Sequence, residues 1–404
     1  MVFSIMKNKL FNISDFYILL WVIMDVFGIF RIGESFTVPA LGMVLLLSLY
    51  YDYELLSHNR LTPYLKSLNI LVVMFTLYGV ALMVLGEHLI VGRIGVEVNS
   101  RTYLKNILMS LLPIFPFYSF ALKGYFTERK LKLWFVAIFV ISYFVFMARQ
   151  AEALESAFYR QGRDVEETTN NAGYLILALM PALSLFKNNK ILFYVGLAFC
   201  MLFVLIGMKR GAIMIGGVCT VVLLFDQLRF SKSRERIIVL SLSAIFLWIA
   251  VTQIMNYYSE SSYFQLRVQQ TMEGNTSSRS ILWSAFWDYF VNENNIFTML
   301  FGLGANATLI VSENFAHNDW LEILINQGLV GFCIYVYYWV MLLKEWRKST
   351  KVSDAYMGIS IFVIIYFMKT FFSMSYSAIP YYSTLILGYY LVKYKKNEIV
   401  ACNK

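Results

Sequence analysis

The chain has 404 residues, 59% of them hydrophobic, 17% aromatic and only 15% charged, with mean hydropathy +0.62 and a formal net charge of +9. A soluble domain carries roughly 25% charged residues, so this composition excludes a water-soluble globular protein and points to a bilayer. The positive charge does not indicate nucleic acid: Lys and Arg stand in short runs between apolar blocks and form no basic stripe with interleaved aromatics.

At the N-terminus, Lys7 and Lys9 precede the first apolar block, and no small-residue cleavage site follows a short apolar core. The first helix is therefore expected to be retained rather than removed as a signal. Apolar blocks fall at 16–30, 38–51, 68–85, 104–122, 133–147, 174–186, 191–208, 212–228, 237–254, 321–343, 356–372 and 377–392, of which the second, sixth and last are short. Most are about 15–20 residues, the length a helix needs to cross a ~30 Å hydrocarbon core. A membrane barrel would show ~10-residue alternating segments instead. The predicted fold is an all-α integral membrane protein with about 12 transmembrane helices.

The connectors set the orientation. With the N-terminus in the cytoplasm, 22 of the 34 Lys and Arg residues fall on the cytoplasmic side, which also places the C-terminus there. Two external segments stand out. Residues 149–171 are mixed in charge, with Glu152, Glu155, Arg160, Arg163, Asp164, Glu166 and Glu167. Residues 255–319 form the only long polar stretch, and loops of that length are usually functional or disordered. Within it Leu282, Trp283, Phe286 and Phe290 recur at helical spacing behind the cap-like Thr276-Ser277-Ser278, predicting a short amphipathic helix on the outer membrane surface. The chain thus divides into N-terminal transmembrane helices, 1–150, and a region 151–404 that carries the loop.

Few residues can carry chemistry. His58 sits in a basic cytoplasmic connector, His88 in a short outer one, and His317 at the end of the long loop, just before a membrane helix. A near-neutral base at the membrane surface can take a proton from a hydroxyl; an interfacial histidine satisfied by water has the same spacing. Lys209, Arg210, Arg279 and Lys369 fall at or near the outer face. Lys209-Arg210 interrupts two apolar blocks, where charge is costly outside a wet cavity. Arg279 opens the loop helix, where a cation opposes the helix dipole. A phosphate ligand would explain both, because guanidinium matches phosphate oxygens bidentately; snorkelling to lipid headgroups is the alternative. Cys200, Cys219 and Cys333 lie in apolar blocks and Cys402 in the tail, which implies neither a disulfide framework nor a zinc site. Asp25 is a carboxylate deep in a block, expected to have a polar partner on a facing helix.

Taken in order, four pieces resemble the O-antigen ligase/O-antigen polymerase superfamily of bacterial envelope glycan enzymes. Met208-Lys209-Arg210-Gly211-Ala212 resembles the Arg-Gly/Ala step that opens a membrane helix. Ser278-Arg279-Ser280-Ile281-Leu282-Trp283 is similar to the Arg-x-x-x-Trp that starts the loop helix. Phe301-Gly302-Leu303-Gly304 matches the Gly-x-Gly turn, and His317-Asn318-Asp319-Trp320-Leu321 with Gly328-Leu329-Val330-Gly331 resembles the final His-Asn…Leu…Gly-x-x-Gly stretch. Asn170-Asn171 ahead of Pro181 adds to the likeness, which covers about 170–332.

The resemblance implies a membrane glycosyltransferase that needs no cofactor, metal or nucleotide and works on the outer face of the bacterial cytoplasmic membrane. Its donor would be a glycan on undecaprenyl diphosphate. Its acceptor would be another lipid-linked repeat unit, making it a polymerase, or lipid A-core, making it a ligase. Membrane lipids are expected partners, and a chain-length regulator or flippase is a further one that the resemblance admits. By the same resemblance His317 assists deprotonation of the acceptor hydroxyl, with Asn318 and Asp319 in support. Arg210 and Arg279 hold the diphosphate, and Lys209 leaves open which member of its pair touches phosphate. A glycan flippase or transporter is the competing class. Such proteins often show two six-helix halves around a central linker, whereas here only Lys187-Asn188-Asn189-Lys190 joins the sixth and seventh blocks.

Overall fold

The structure is a computed structural model of the chain. It describes residues 12–30, 34–85, 89–91, 96–161, 172–207, 209–230, scattered positions from 236 to 269, 279–312, 314–373, 375–376 and 382–402. The expected Asn170-Asn171, Met208 and Thr276–Ser278 features lie outside these residues.

Hydrocarbon offers the backbone no partner, so long apolar segments close their own hydrogen bonds as helices. The first helices are α1 (Ile13–Phe30), α2 (Glu34–Ser57) and α3 (Pro63–Leu85). A small antiparallel pair follows, Leu89–Val91 against Val96–Val98. Next come α4 (Ser100–Leu111) and α5 (Ile114–Leu122), separated at Pro113, and the long α6 (Glu128–Gln161). After them lie α7 (Ala172–Leu177) with a 3-10 turn at Met180–Phe186, α8 (Lys190–Ile206) and α9 (Arg210–Phe230). The late loop supplies α10 (Arg279–Val291), α11 (Ile296–Phe301) and α12 (Thr308–Ser312). The chain closes with α13 (Asp319–Lys348), α14 (Ser353–Phe372) and α15 (Ser383–Cys402).

Among the described residues, seven stretches are long and apolar enough to cross a membrane: Val38–Ser57, Pro63–Val84, Ser100–Leu122, Glu128–Ala151, Arg210–Arg229, Asp319–Lys348 and Asp354–Phe372. Ile13–Met24, Gly173–Phe186 and Lys190–Ile206 are shorter apolar helices. The second block, short by sequence, gains length because its helix runs on through polar residues, where the Asn69 amide donates to Asp52 Oδ1 at 2.7 Å. The helices carry large apolar side chains on their outside: Leu46, Leu77, Leu133, Ile191 and Phe225 are exposed. Water disfavours such an exterior and hydrocarbon suits it.

Among the described residues, the larger core runs from Tyr17 in α1 to Tyr394 in α15, and a smaller cluster gathers Phe286, Ala316 and Ile325 under the late loop. Aromatic side chains lock the helices together. Tyr64 and Tyr338 share a hydroxyl hydrogen bond of 3.2 Å between α3 and α13, and Trp339 stacks on Tyr366 at 4.9 Å between α13 and α14.

Two departures from the sequence expectation concern the loop and the helix after it. Helix α10 forms where expected, but its polarity is not that of an ordinary amphipathic helix. It buries Phe286, yet Ile281, Trp287 and Val291 remain exposed beside Ser280 and Asp288. Helix α13 is broken at Gly328, whose backbone angles are φ 65 and ψ −165. The Gly302–Gly304 turn passes over the break, and a Cβ on Gly328 would lie 2.5 Å from the Gly302 nitrogen. Glycine at both places permits that approach.

Candidate functional site

His317 stands in a short segment between α12 and α13 in the left-handed region, φ 51. Its neighbours on either side are buried, while its own surface stays open to one side with protein packed around the rest of the ring. Two clamps fix the peptide just before it. The Ala316 N–H donates to Glu322 Oε1 at 2.6 Å, and the Ala316 carbonyl accepts from Trp283 Nε1 at 2.8 Å. On the other side Asn318 caps α13, its side chain accepting from the Trp320 and Leu321 N–H groups at 3.0 and 3.4 Å. The cap satisfies donors that a helix start leaves open.

The Arg-x-x-x-Trp spacing acquires a physical meaning here. Residues four apart share a helix face, so pinning Trp283 to the Ala316 carbonyl brings Arg279, one turn earlier on α10, into electrostatic range of the imidazole. Partial burial first, and then the Arg279 and Lys209 cations, hold the His317 pKa below its ordinary 6.5. The imidazole is therefore neutral at pH 7, the form that can accept a proton.

The Lys-Arg-Gly step is equally local. A Cβ on Gly211 would strike the Tyr174 hydroxyl and approach Phe372 Cβ to 2.9 Å. Only glycine lets the start of α9, with Lys209 and Arg210, press against α7 and α14. Tyr174 also lies in the field of Arg279 and carries Lys369 Nζ 5.7 Å from its ring centroid. Lys369 in turn interacts electrostatically with Asp319.

Of the residues singled out by sequence, Lys209, Arg279 and His317 thus come together, Arg210 follows Lys209 at the start of α9, and Lys369 is connected to them through Tyr174. Asp319 has a different position from an open supporting base. It is fully buried, with Oδ1 accepting from the Ser375 N–H at 2.7 Å and Oδ2 from the Tyr335 hydroxyl at 2.9 Å. Its geometry anchors the start of α13 to the segment after α14.

Sequence reasoning missed Glu322. Besides Ala316, its carboxylate accepts from Thr308 Oγ1 at 2.7 Å and from Asn326 Nδ2 at 3.2 Å, while the Thr308 N–H donates to Asn326 Oδ1 at 3.0 Å. One side chain therefore ties α12, the histidine segment and α13 together. The available signal was a carboxylate at the second position of an apolar block, where charge is costly unless it has work to do.

The described residues contain no cluster of His, Cys, Asp and Glu able to hold a metal ion. Comparison with protein-family models returns no match, and comparison with curated proteins returns none either. The likeness to O-antigen ligases and polymerases therefore rests on the sequence motifs and their order.

Proposed function

We propose that the chain is a glycosyltransferase of the bacterial cytoplasmic membrane that moves a glycan from undecaprenyl diphosphate to a hydroxyl acceptor. Polymerisation of O-antigen or other surface polysaccharide repeats is the first reading. In this proposal about twelve helices span the membrane, both termini are cytoplasmic, and the loop with its histidine faces outwards. The observation that supports it best is an imidazole in the field of two cations, Arg279 and Lys209, on a segment whose Ala316 peptide is hydrogen-bonded on both sides.

The chemistry balances with these groups alone. The acceptor oxygen attacks the anomeric carbon of the donor, and its proton passes to the His317 imidazole. The anomeric carbon–oxygen bond breaks, and undecaprenyl diphosphate leaves with the electron pair. Fixed cations at Arg279 and at Lys209 or Arg210 stabilise the growing negative charge on the phosphate, where preorganised charge is most effective. Asn318 sets the histidine's register as a helix cap, and Asp319 anchors the same helix.

Deletion in the native strain, read by gel analysis of surface glycan, tests the proposal. A ladder reduced to a single repeat is the expected result. Loss of all glycan from lipid A with polymer still on the carrier assigns ligation instead. An unchanged glycan profile contradicts both, and accumulation of unpolymerised carrier on the cytoplasmic side assigns a flippase.

A further inference from the structure

We infer that residues 296–303, helix α11 with the first part of the turn after it, insert into the lipid bilayer and that their partner is lipid hydrocarbon. The inference does not depend on the glycosyltransferase proposal. The segment reads Ile296-Phe297-Thr298-Met299-Leu300-Phe301-Gly302-Leu303 and contains no charged side chain. None of the α11 residues is buried by the protein: Ile296 is 65% exposed, Phe297 70% and Phe301 50%. A contiguous apolar patch of this kind is rare on a surface facing water.

Depth argues the same way, from two helices independently. The Tyr78 hydroxyl donates to the Phe301 carbonyl, and Tyr78 lies seven residues inside the Leu85 end of α3. At 1.5 Å per residue, that is about 10 Å within the span. On the other side, the Leu303 and Gly304 N–H groups donate to the Ile325 and Asn326 carbonyls at 2.9 Å each. Those carbonyls lie six and seven residues inside the Asp319 start of α13, again roughly 10 Å. At this level the flanking spans also present exposed apolar side chains, Leu77 and Val80 on α3 and Leu329 and Val330 on α13. The α11 residues are thus tied to two spans that are themselves exposed and apolar at about this depth.

Irregular backbone survives inside hydrocarbon only where its polar groups find partners. Here they do. The Gly302 N–H donates to the Thr298 carbonyl at 2.7 Å, the next two N–H groups reach α13, and the Phe301 carbonyl is taken by Tyr78. The entry is marked by polar residues, with the Asn295 side chain accepting from the Phe297 N–H at 2.9 Å and Glu293 accepting from the Asn295 N–H at 2.8 Å. The late loop therefore returns into the membrane before it reaches the histidine segment, which fixes the height of that segment relative to the bilayer.

The test places single cysteines at Phe297, Ile296 and Asn292 in the full-length chain with its four native cysteines replaced by alanine. The variants are reconstituted in phosphatidylethanolamine/phosphatidylglycerol vesicles and treated with a water-soluble maleimide. The Ile296 and Phe297 positions should label slower than Asn292 by roughly tenfold or more, since apolar surroundings raise a thiol's pKa and each unit removes tenfold of thiolate. A fluorophore at either apolar position should be quenched by nitroxide on the lipid acyl chain. Labelling of both as fast as Asn292 overturns the inference. Slow labelling without acyl-chain quenching overturns it too, and assigns the patch to a protein contact such as a second copy. The paired positions cover the case in which one variant fails to fold.

Discussion

At the residue scale, the proposal stands on His317. Replacing it with Ala should lower transfer by roughly two to four orders of magnitude, the usual worth of a positioned general base. Donor affinity should survive, because the cations remain. The pH dependence has a definite sign. Burial and the neighbouring cations hold the His317 pKa below 6.5, so the acidic limb of kcat/KM should lie below the ordinary histidine range, with activity rising as pH passes through it. Lys209→Gln removes one of the charges that depress it, so that limb should move to higher pH. A limb that stays in place would detach Lys209 from the histidine. Arg279→Ala should abolish transfer and Arg279→Lys restore only part of it, since a point charge cannot replace a bidentate fork at phosphate. Full activity with Ala at normal protein levels would leave Arg279 a surface charge.

Elements decide whether those residues meet, and Trp283 and Glu322 are the joints. Each holds one side of the Ala316 peptide. Trp283→Phe removes the indole donor, and Glu322→Gln keeps an acceptor for Ala316 while turning an N–H₂ towards the Thr308 and Asn326 donors. Both should lower kcat on the order of ten- to a hundredfold through misplacement of the imidazole, with donor KM little changed. Loss of thermal stability alone, with turnover per folded molecule intact, would make them scaffold residues only. The glycines separate sterics from backbone strain. Gly328→Ala combines positive φ with a Cβ 2.5 Å from the Gly302 nitrogen, and should cost about 2–4 kcal/mol. Gly304→Ala, with φ 111 but open space around the Cβ position, should cost about 1–3 kcal/mol from strain alone, and so lower the melting temperature less.

For the whole molecule, hydropathy made most of the architecture legible. The blocks at 68–85, 104–122 and 356–372 reappear in helices close to those bounds, because length and apolar content alone decide which segments suit hydrocarbon. The Arg279, His317 and Lys209 grouping was legible through motif order rather than through any local pattern. Glu322, Tyr174 and the break at Gly328 were not, since their roles exist only once distant segments touch. Tyr174 has no polar neighbour in sequence that foretells Gly211, and nothing before Gly328 announces that the Gly302 turn will cross it. Orientation makes its own prediction. An impermeant reagent should label Asn292→Cys in intact cells, and labelling only after membrane disruption would invert the topology and remove the proposed external reaction.

The measurement that bears most directly on the proposed activity uses full-length protein in liposomes, supplied with lipid diphosphate-linked repeat units extracted from the native strain. Wild type and His317→Ala are compared at equal amounts of folded protein, scoring glycan length and release of undecaprenyl diphosphate. The account predicts lengthened glycan and carrier release from wild type, with neither from the variant although it still binds donor. Equal product from the two proteins would contradict the role of His317, and bound donor left unextended by wild type would contradict the polymerase itself.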